Sequence, residues 1–529
     1  MNGRVVLLRC ALRRDRVRAG LPVLLLGVLP AATASSYARL YPTVAERATL
    51  DATARRTPAL QALYGPVGDL TTAGGFTAWR VGSFLAAAVA LVAVFTAVRH
   101  TRAEEDAGRA DLVAAGAVGR SAPTDAAALL AAGAAVLTGL VTALALAATG
   151  AGAAGSLLLG LVTGLVGATG AGLGLLAAQV LPTARSARAV ASAVVGAAFL
   201  LRAAADTAPR GSALSGLGWL SPLAWVGRAQ PFAGDHWPVL LAPLALTAGL
   251  LALTRLLRRH RDLGAGLVAP RGGRAGAPGW LRSTTALAWR LARGSVLGWC
   301  LGTGLAGAAL GTLTPSVSGL LAGSAGASDV LRSAGGAQQV GAAFLGTLTA
   351  VYGLVAAAAG VQAAVHAREE EAGGHLDLLL ATGGRRLPWF LGHLSVGLLA
   401  SALTLLCGVA ATRATAGAAA PAWGPSLTAA ATQLPAVWFL TAVGFALAGA
   451  LPRWAALAWA VLAATTLAWF AGPLLGLGSW VGDLSPTTHL PAAPGAPVAV
   501  TATVVLGAAA VALLVAGAVA VTRRDLRGR

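Results

Sequence analysis

Eight of the chain's 19 acidic residues fall in two short windows: Glu104, Glu105, Asp106 and Asp111 in the first, Glu369, Glu370, Glu371 and Asp377 in the second. Carboxylates this close together could move protons as a general acid and base or hold a cation. Either chemistry needs partners of a definite kind. The seven histidines, His100, His236, His260, His366, His375, His393 and His489, make no His-Glu-x-x-His pattern and no pair with ligand spacing. His366 and His375 flank the second window, but the first window places Arg109 where His375 stands. No serine elbow or triad pattern accompanies the acids. All 39 basic residues are arginine. Without lysine there is no Walker A site to reach the β- and γ-phosphates and no Schiff-base chemistry. Cys10, Cys300 and Cys407 are isolated in sequence and give neither a disulfide framework nor a metal pattern. No catalytic, metal or cofactor-binding residue is assigned.

What the windows share is order. RAEEDAGRADLVAAGAVGR at 102–120 and REEEAGGHLDLLLATGGRR at 368–386 align without a gap at an offset of 266 residues. The identical pairs are Arg102/Arg368, Glu104/Glu370, Glu105/Glu371, Gly108/Gly374, Asp111/Asp377, Leu112/Leu378, Ala115/Ala381 and Arg120/Arg386. Further echoes keep nearly the same spacing: Leu220-Ser221-Pro222 returns as Leu484-Ser485-Pro486, and Arg261-Asp262-Leu263 as Arg524-Asp525-Leu526. Self-similarity at a fixed period says that the same unit occurs twice. A loop in water is charged for that reason alone, but solvation does not repeat the same residues in the same order. The windows read as partner-docking elements. Helical spacing puts Glu104, Gly108, Asp111/Leu112 and Ala115 on one face, and likewise Glu370, Gly374, Asp377/Leu378 and Ala381. Acids at the start and Arg120, Arg385 and Arg386 at the end follow the helix dipole. Each window is therefore expected to be a single short amphipathic helix along the membrane surface.

The elements that must position the windows follow from composition. The 529 residues are 57% hydrophobic and 11% charged, with a mean hydropathy of +0.73; soluble domains carry about 25% charged residues. An all-α polytopic membrane protein is expected. A crossing needs roughly 20 apolar residues. On that basis spans are predicted near 19–36, 79–98, 124–149, 154–181, 187–205 and 237–257, then near 295–313, 340–365, 387–411, 426–451, 454–475 and 498–521. The basic start and the apolar run ending at Ala32-Thr33-Ala34 resemble a signal peptide. The run at 295–313 holds the corresponding place in the second half and cannot be one, so 19–36 is read as a first span.

With the N-terminus inside, 29 of the 39 arginines fall in the cytoplasmic segments, the positive-inside bias. The net charge of +20 is thereby a matter of topology, and no nucleic-acid partner is inferred. Six spans per half is even, so the halves are expected to be tandem parallel repeats: residues 1–257 with the segment 99–122, a cytoplasmic linker 258–293, and residues 294–529 with the segment 366–386. Both termini lie inside, and both windows follow the second span of their half. On the other side, 37–78 is polar and 314–337 Gly/Ser-rich. Residues 206–236 and 476–497, with Trp219, Trp225, Trp237 and Trp480 nearby, fit an interfacial aromatic belt. The repeated Leu-Ser-Pro reads either as a re-entrant turn or as a plain external loop. No chain of buried acids marks an ion path.

The pattern Arg-x-Glu-Glu-x-x-Gly-x-x-Asp-Leu-x-x-Ala-x-x-x-x-Arg after a second span resembles the coupling-helix region of ABC exporter permeases of the ABCG-like class. With the six-plus-six arrangement, the run at 258–266 and Leu287-Ala288-Trp289-Arg290, the chain is similar to fused twelve-span permeases of actinobacteria, exporters of polyketide antibiotics. Its Ala, Gly and Arg content suits a GC-rich genome. The resemblance implies a permease subunit in the plasma membrane, with ATP and Mg on two copies of a separate ABC ATPase. It implies a coupling role for Arg102, Glu104, Glu105, Gly108, Asp111 and Arg120, and for Arg368, Glu370, Glu371, Gly374, Asp377 and Arg386. The substrate implied is a hydrophobic or amphipathic small molecule leaving the cell; no residue can be assigned to it. Ala103 and Ala110 stand where the second copy has Glu369 and Leu376, so the two docking elements are expected to be unequal. A permease for a lipid or cell-envelope precursor has the same architecture. A scaffold that recruits an ATPase, and a membrane enzyme using Asp69, Asp206, Asp235 or Asp483, are the readings from other classes.

Overall fold

The computed structural model describes residues 3–116, 118–209, 211–262, 264–269, 276–312, 314, 337–417, 421–474, 479–491 and 494–525. Among these residues there are helices and turns and no strands. Among the described residues eleven helices are long and apolar enough to cross a membrane. Their outward faces carry exposed Leu and Val, such as Leu21, Leu24 and Leu25 in the first and Val504, Val505 and Val511 in the last. A face that apolar is stable only against lipid or protein. The chain is an all-α, multi-pass membrane protein. It divides into two compact units, Met1–Gly273 and Arg274–Arg529.

In the first unit the spanning helices are α1 (Gly3–Leu40), α4 (Ala73–Arg99), α7 (Ala122–Ala147), α8 (Ala153–Val180), α9 (Ala184–Thr207) and α12 (Leu241–Arg259). Between them lie the short helices α2 (Val44–Arg56), α3 (Pro58–Tyr64), α5 (Arg102–Asp106), α6 (Arg109–Ala114), α10 (Ala213–Leu217) and α11 (Ala224–Ala229). Their starts are set by side chains that satisfy the free N–H groups of a first turn. Thr72 accepts from Gly75, and Thr43 with Glu46 and Thr183 with Ser186 form capping boxes. α8 is the most buried spanning helix, packed against α7, α4 and α12. Gly139 of α7 and Gly160 of α8 make the closest approach: a Cβ on either would collide with the other's carbonyl oxygen. With no water to expel between spans, such backbone contact is what holds them together.

α1 is longer than its predicted span and runs through the basic start. It packs on α7 and α4, and Asp15 is buried against Arg99 and His100. The segment 41–72, expected only to be polar, folds onto α4: Ala54, Leu70 and Trp79 form a small core, and Arg55 binds Asp51 at 2.7 Å. The first Leu-Ser-Pro turns the chain back inward. Ala224, Trp225, Val226 and Ala229 of α11 are buried, and α11 packs against α4 and α8. Trp225 is therefore a core residue, its indole N–H donating to the Trp219 carbonyl at 3.1 Å, and does not belong to the aromatic belt; Trp219, Trp237 and Trp480 are exposed.

The second unit comprises α13 (Thr284–Gly311), α14 (Ala337–Ala372), α15 (His375–Ala381), α16 (Arg386–Thr415), α17 (Trp423–Ala450), α18 (Leu457–Leu474), α19 (Ser479–Asp483) and α20 (Val500–Arg523). α13 packs on α16, α14 on α17, and α17 on α20, as α1 packs on α7, α4 on α8, and α8 on α12 in the first unit. The segment predicted as a span at 454–475 is the 18-residue α18, whose apolar stretch, Leu457–Trp469, is shorter than in the eleven others. Most of the expected Gly/Ser-rich segment 314–337, part of the linker and Leu526 lie outside the described residues.

Candidate functional site

Both windows depart from the expected single helix, and in the same way. Gly108 has φ 68° and Gly374 φ 76°, the left-handed region. Each ends one helix and opens the next: α5 stops before Gly108 and α6 follows it; α14 stops before Gly373-Gly374 and α15 follows. The Gly108 N–H donates to Glu105 O at 2.9 Å, and the Gly374 N–H to Glu371 O at 3.0 Å. Glycine takes this conformation without the clash a Cβ brings. Helical spacing counted straight through the glycine was misleading because one positive φ redirects the axis. Glu369, Glu370 and Glu371 consequently sit at the end of α14, where the dipole disfavours them, while Glu104 and Glu105 fall within the five-residue α5 and Asp111 and Asp377 open the next helix. Arginines compensate for that placement.

In the first unit Arg102 is only 2% exposed. Its guanidinium binds Glu105 and Asp106, each at 3.1 Å, and donates to the carbonyls of Ala265 at 2.9 Å, Gly264 at 2.8 Å and Pro182. Glu105 also binds Arg261, which donates to Ala178 O and Gln179 Oε1, both at 2.9 Å. Burial pushes the Arg261 guanidinium below its ordinary value, and the Glu105 carboxylate works against that shift. Asp106 accepts the Ala184 N–H at 2.7 Å, and Leu267 and Val268 donate to the carbonyls of Gln179 and Val180. The end of the second span, the turn after the fourth and the chain leaving the last are thus bound at one place.

The second unit repeats the arrangement. Arg524 grips Glu371 through two bonds of 2.6 Å, and Arg386 donates to Arg524 O at 2.6 Å. Arg368 donates to Pro452 O at 3.2 Å and lies 3.8 Å from Glu371. The identical pair Glu104/Glu370 is held from aligned positions. Arg109 reaches Glu104 at 2.6 Å, with Arg14 on the other side. His375 reaches Glu370 at 3.1 Å, with His366 at 3.8 Å. The Glu104 carboxylate raises the Arg109 guanidinium above its ordinary value. Among the described residues no three His, Cys, Asp or Glu side chains converge as a metal ion would need.

The twelve residues assigned from sequence therefore separate into two sets. Arg102, Glu104, Glu105, Arg368, Glu370, Glu371 and Arg386 engage side chains or carbonyls of their own unit. Arg120 is exposed at the side chain, and its carbonyl accepts from Arg258. What faces outward is the short helix. Asp111 and Asp377 are exposed in its first turn, followed by Leu112 at 78% and Leu378 at 69% exposure. Gly108 and Gly374 aim this helix. Leu112 and Leu378 are among the identical pairs but not among the twelve assigned residues. The Arg-Asp-Leu echo contains Arg261 and Arg524, but nothing in the tripeptide itself joins them to the acids.

A family model, the C-terminal domain of multidrug efflux system permease Rv1217c, matches residues 281–521. The whole chain is similar to the multidrug efflux system permease protein Rv1217c of Mycobacterium tuberculosis: 39% identical over 532 aligned positions, covering 99% of this chain and 96% of that one.

Proposed function

This chain belongs to the family of multidrug efflux permeases represented by the Mycobacterium tuberculosis protein, and from that premise we propose that it is the transmembrane subunit of an ATP-driven exporter. It moves a hydrophobic or amphipathic small molecule, such as a drug or a polyketide antibiotic, outward across the plasma membrane. Its termini and both windows face the cytoplasm, and its units are parallel repeats. About two copies of an ABC ATPase, which carry the ATP and Mg, dock on α6 and α15.

The observation that carries this reading is the duplicated Asp-Leu pair on each short helix, Asp111-Leu112 and Asp377-Leu378. A leucine exposed on an element otherwise surrounded by charge is suited to a partner's groove. Behind it the carboxylates are already neutralised internally, so the leucine and the first-turn aspartate are left to meet the partner. Closure of the ATPases displaces the short helices, and each passes the displacement to the spanning helices of its own unit. Coupling of this kind requires an element with two positions that both sites bias; in this reading the turns at Gly108 and Gly374 take that role.

Inverted membrane vesicles containing the permease and its ATPase test the function. Doxorubicin, a fluorescent amphipathic polyketide, and ethidium should accumulate in the vesicles with ATP and not without it. ATP-dependent accumulation of neither probe contradicts the drug-export reading, and movement of a fluorescent phospholipid instead would turn it to a lipid permease.

A further inference from the structure

We propose that Arg261 and Arg524 are positioning residues of the transport cycle, each fastening the segment just before the short docking helix's glycine turn to the chain that leaves the last spanning helix of its own unit. This rests on the exporter reading above and goes beyond it, since neither arginine belongs to the docking windows.

Glu105 and Glu371 each stand three residues before the left-handed glycine, Glu105 in the short α5 and Glu371 in the last turn of α14, where a carboxylate meets the negative end of the helix dipole. Their position relative to the glycine is the same in both units. In each it is answered by an arginine that follows the last span: Arg261 after α12, Arg524 after α20. The Arg524 contact is bidentate, with both bonds at 2.6 Å. A forked guanidinium–carboxylate pair fixes orientation as well as distance. Stability alone does not account for such a pair, because well-packed apolar residues often replace a buried ion pair at no loss. A connection that must transmit direction does account for it. The free helix pivots at Gly108 or Gly374; one residue turn earlier, the clasp sends the movement into α12 or α20. Through Arg102 to Pro182 and Arg368 to Pro452, it also reaches the turn after the fourth span.

The test is ATP-driven doxorubicin accumulation in inverted vesicles holding the ATPase and either wild-type permease, Glu371→Arg, Arg524→Glu or the double exchange, with membrane insertion measured for each. The single reversals should lower the maximal rate at least about tenfold while half-saturation stays within about twofold, and the double exchange should recover most of the loss. Arg524→Gln and Arg524→Lys guard against misfolding; lysine keeps the charge without the fork and should restore only part of the rate. The corresponding series at Glu105 and Arg261 should behave alike. Wild-type rates in the inserted single variants, or a double exchange no better than the singles, overturn the inference while leaving the exporter reading intact. A change in half-saturation alone also overturns it. A wild-type permease without ATP-dependent transport removes the exporter reading, and this inference with it.

Discussion

Replacing Gly374 by alanine isolates the turn that aims the short helix α15. A Cβ built there meets only Asp377 Oδ2, at 3.9 Å. That is ordinary contact, so the substitution carries no steric cost and its effect is confined to the backbone. Holding an L-residue in the left-handed region costs about 1–2 kcal/mol. Glycine takes either hand with similar ease, so alanine shifts the balance between the folded turn and its local opening by that amount. The shift corresponds to roughly 5- to 30-fold in population. Hydrogen exchange of the amides at 375–381, in the purified permease, reads it directly. Exchange should accelerate by about the same factor in Gly374→Ala, and asparagine, which tolerates this conformation better, should show a smaller change. Gly108→Ala should do the same to α6, where no atom lies within 4 Å of the added carbon. Wild-type exchange in both alanine variants, or asparagine as disruptive as alanine, would refute the reasoning.

Two further outcomes concern parts of the first unit away from the windows. Arg202 is 1% exposed and binds Asp206 at 3.2 Å and the carbonyls of Ala62 and Leu63 at 2.7 and 3.0 Å. Arg202→Met should destabilise the unit by about 3–5 kcal/mol in a detergent melt by stranding Asp206, and adding Asp206→Asn should recover part of the loss. The hydrogen bond from Arg55, with a further one from the Leu70 N–H, holds the Asp51 carboxyl below its ordinary range against a weaker opposing effect of burial. A folded value depressed in this way contributes stability above the unfolded value and loses it as the pH falls through the folded one. Pepsin, which is active at acid pH, should therefore cut between Leu50 and Tyr64 faster as the pH is lowered through the carboxylate range, and Asp51→Asn should show the fast cutting already at the upper end of that range.

The spans were legible because a lipid-facing helix must be apolar along its whole length, and no other requirement produces such runs. α4, α8, α12 and α20 lie within a few residues of their predicted positions. The segment 41–72 was illegible as a fold, since its core of Ala54, Leu70 and Trp79 is too small to leave a period. Trp225 was assigned to the belt because tryptophan is common there, and only the inward turn of α11 shows that it is buried. In the windows, the repeat marked a set of residues but did not show that some bind within their own unit while others face outward. Glu105 and Glu371 read as a charged surface because their partners, Arg261 and Arg524, lie more than 150 residues away. The offset that relates Arg261 to Arg524 nearly equals the one between the windows. That equality was the available signal that the two echoes belong to one contact.

Affinity capture of the detergent-solubilised permease, with quantitative mass spectrometry of what accompanies it, tests the central claim most directly when wild type is set beside the pair Leu112→Arg and Leu378→Arg. The account predicts an ABC ATPase at about two copies per wild-type permease, and its loss from the double variant, whose membrane insertion is unchanged because both leucines face outward. Recovery of no ATPase with wild type, or equal recovery with the variant, would contradict it.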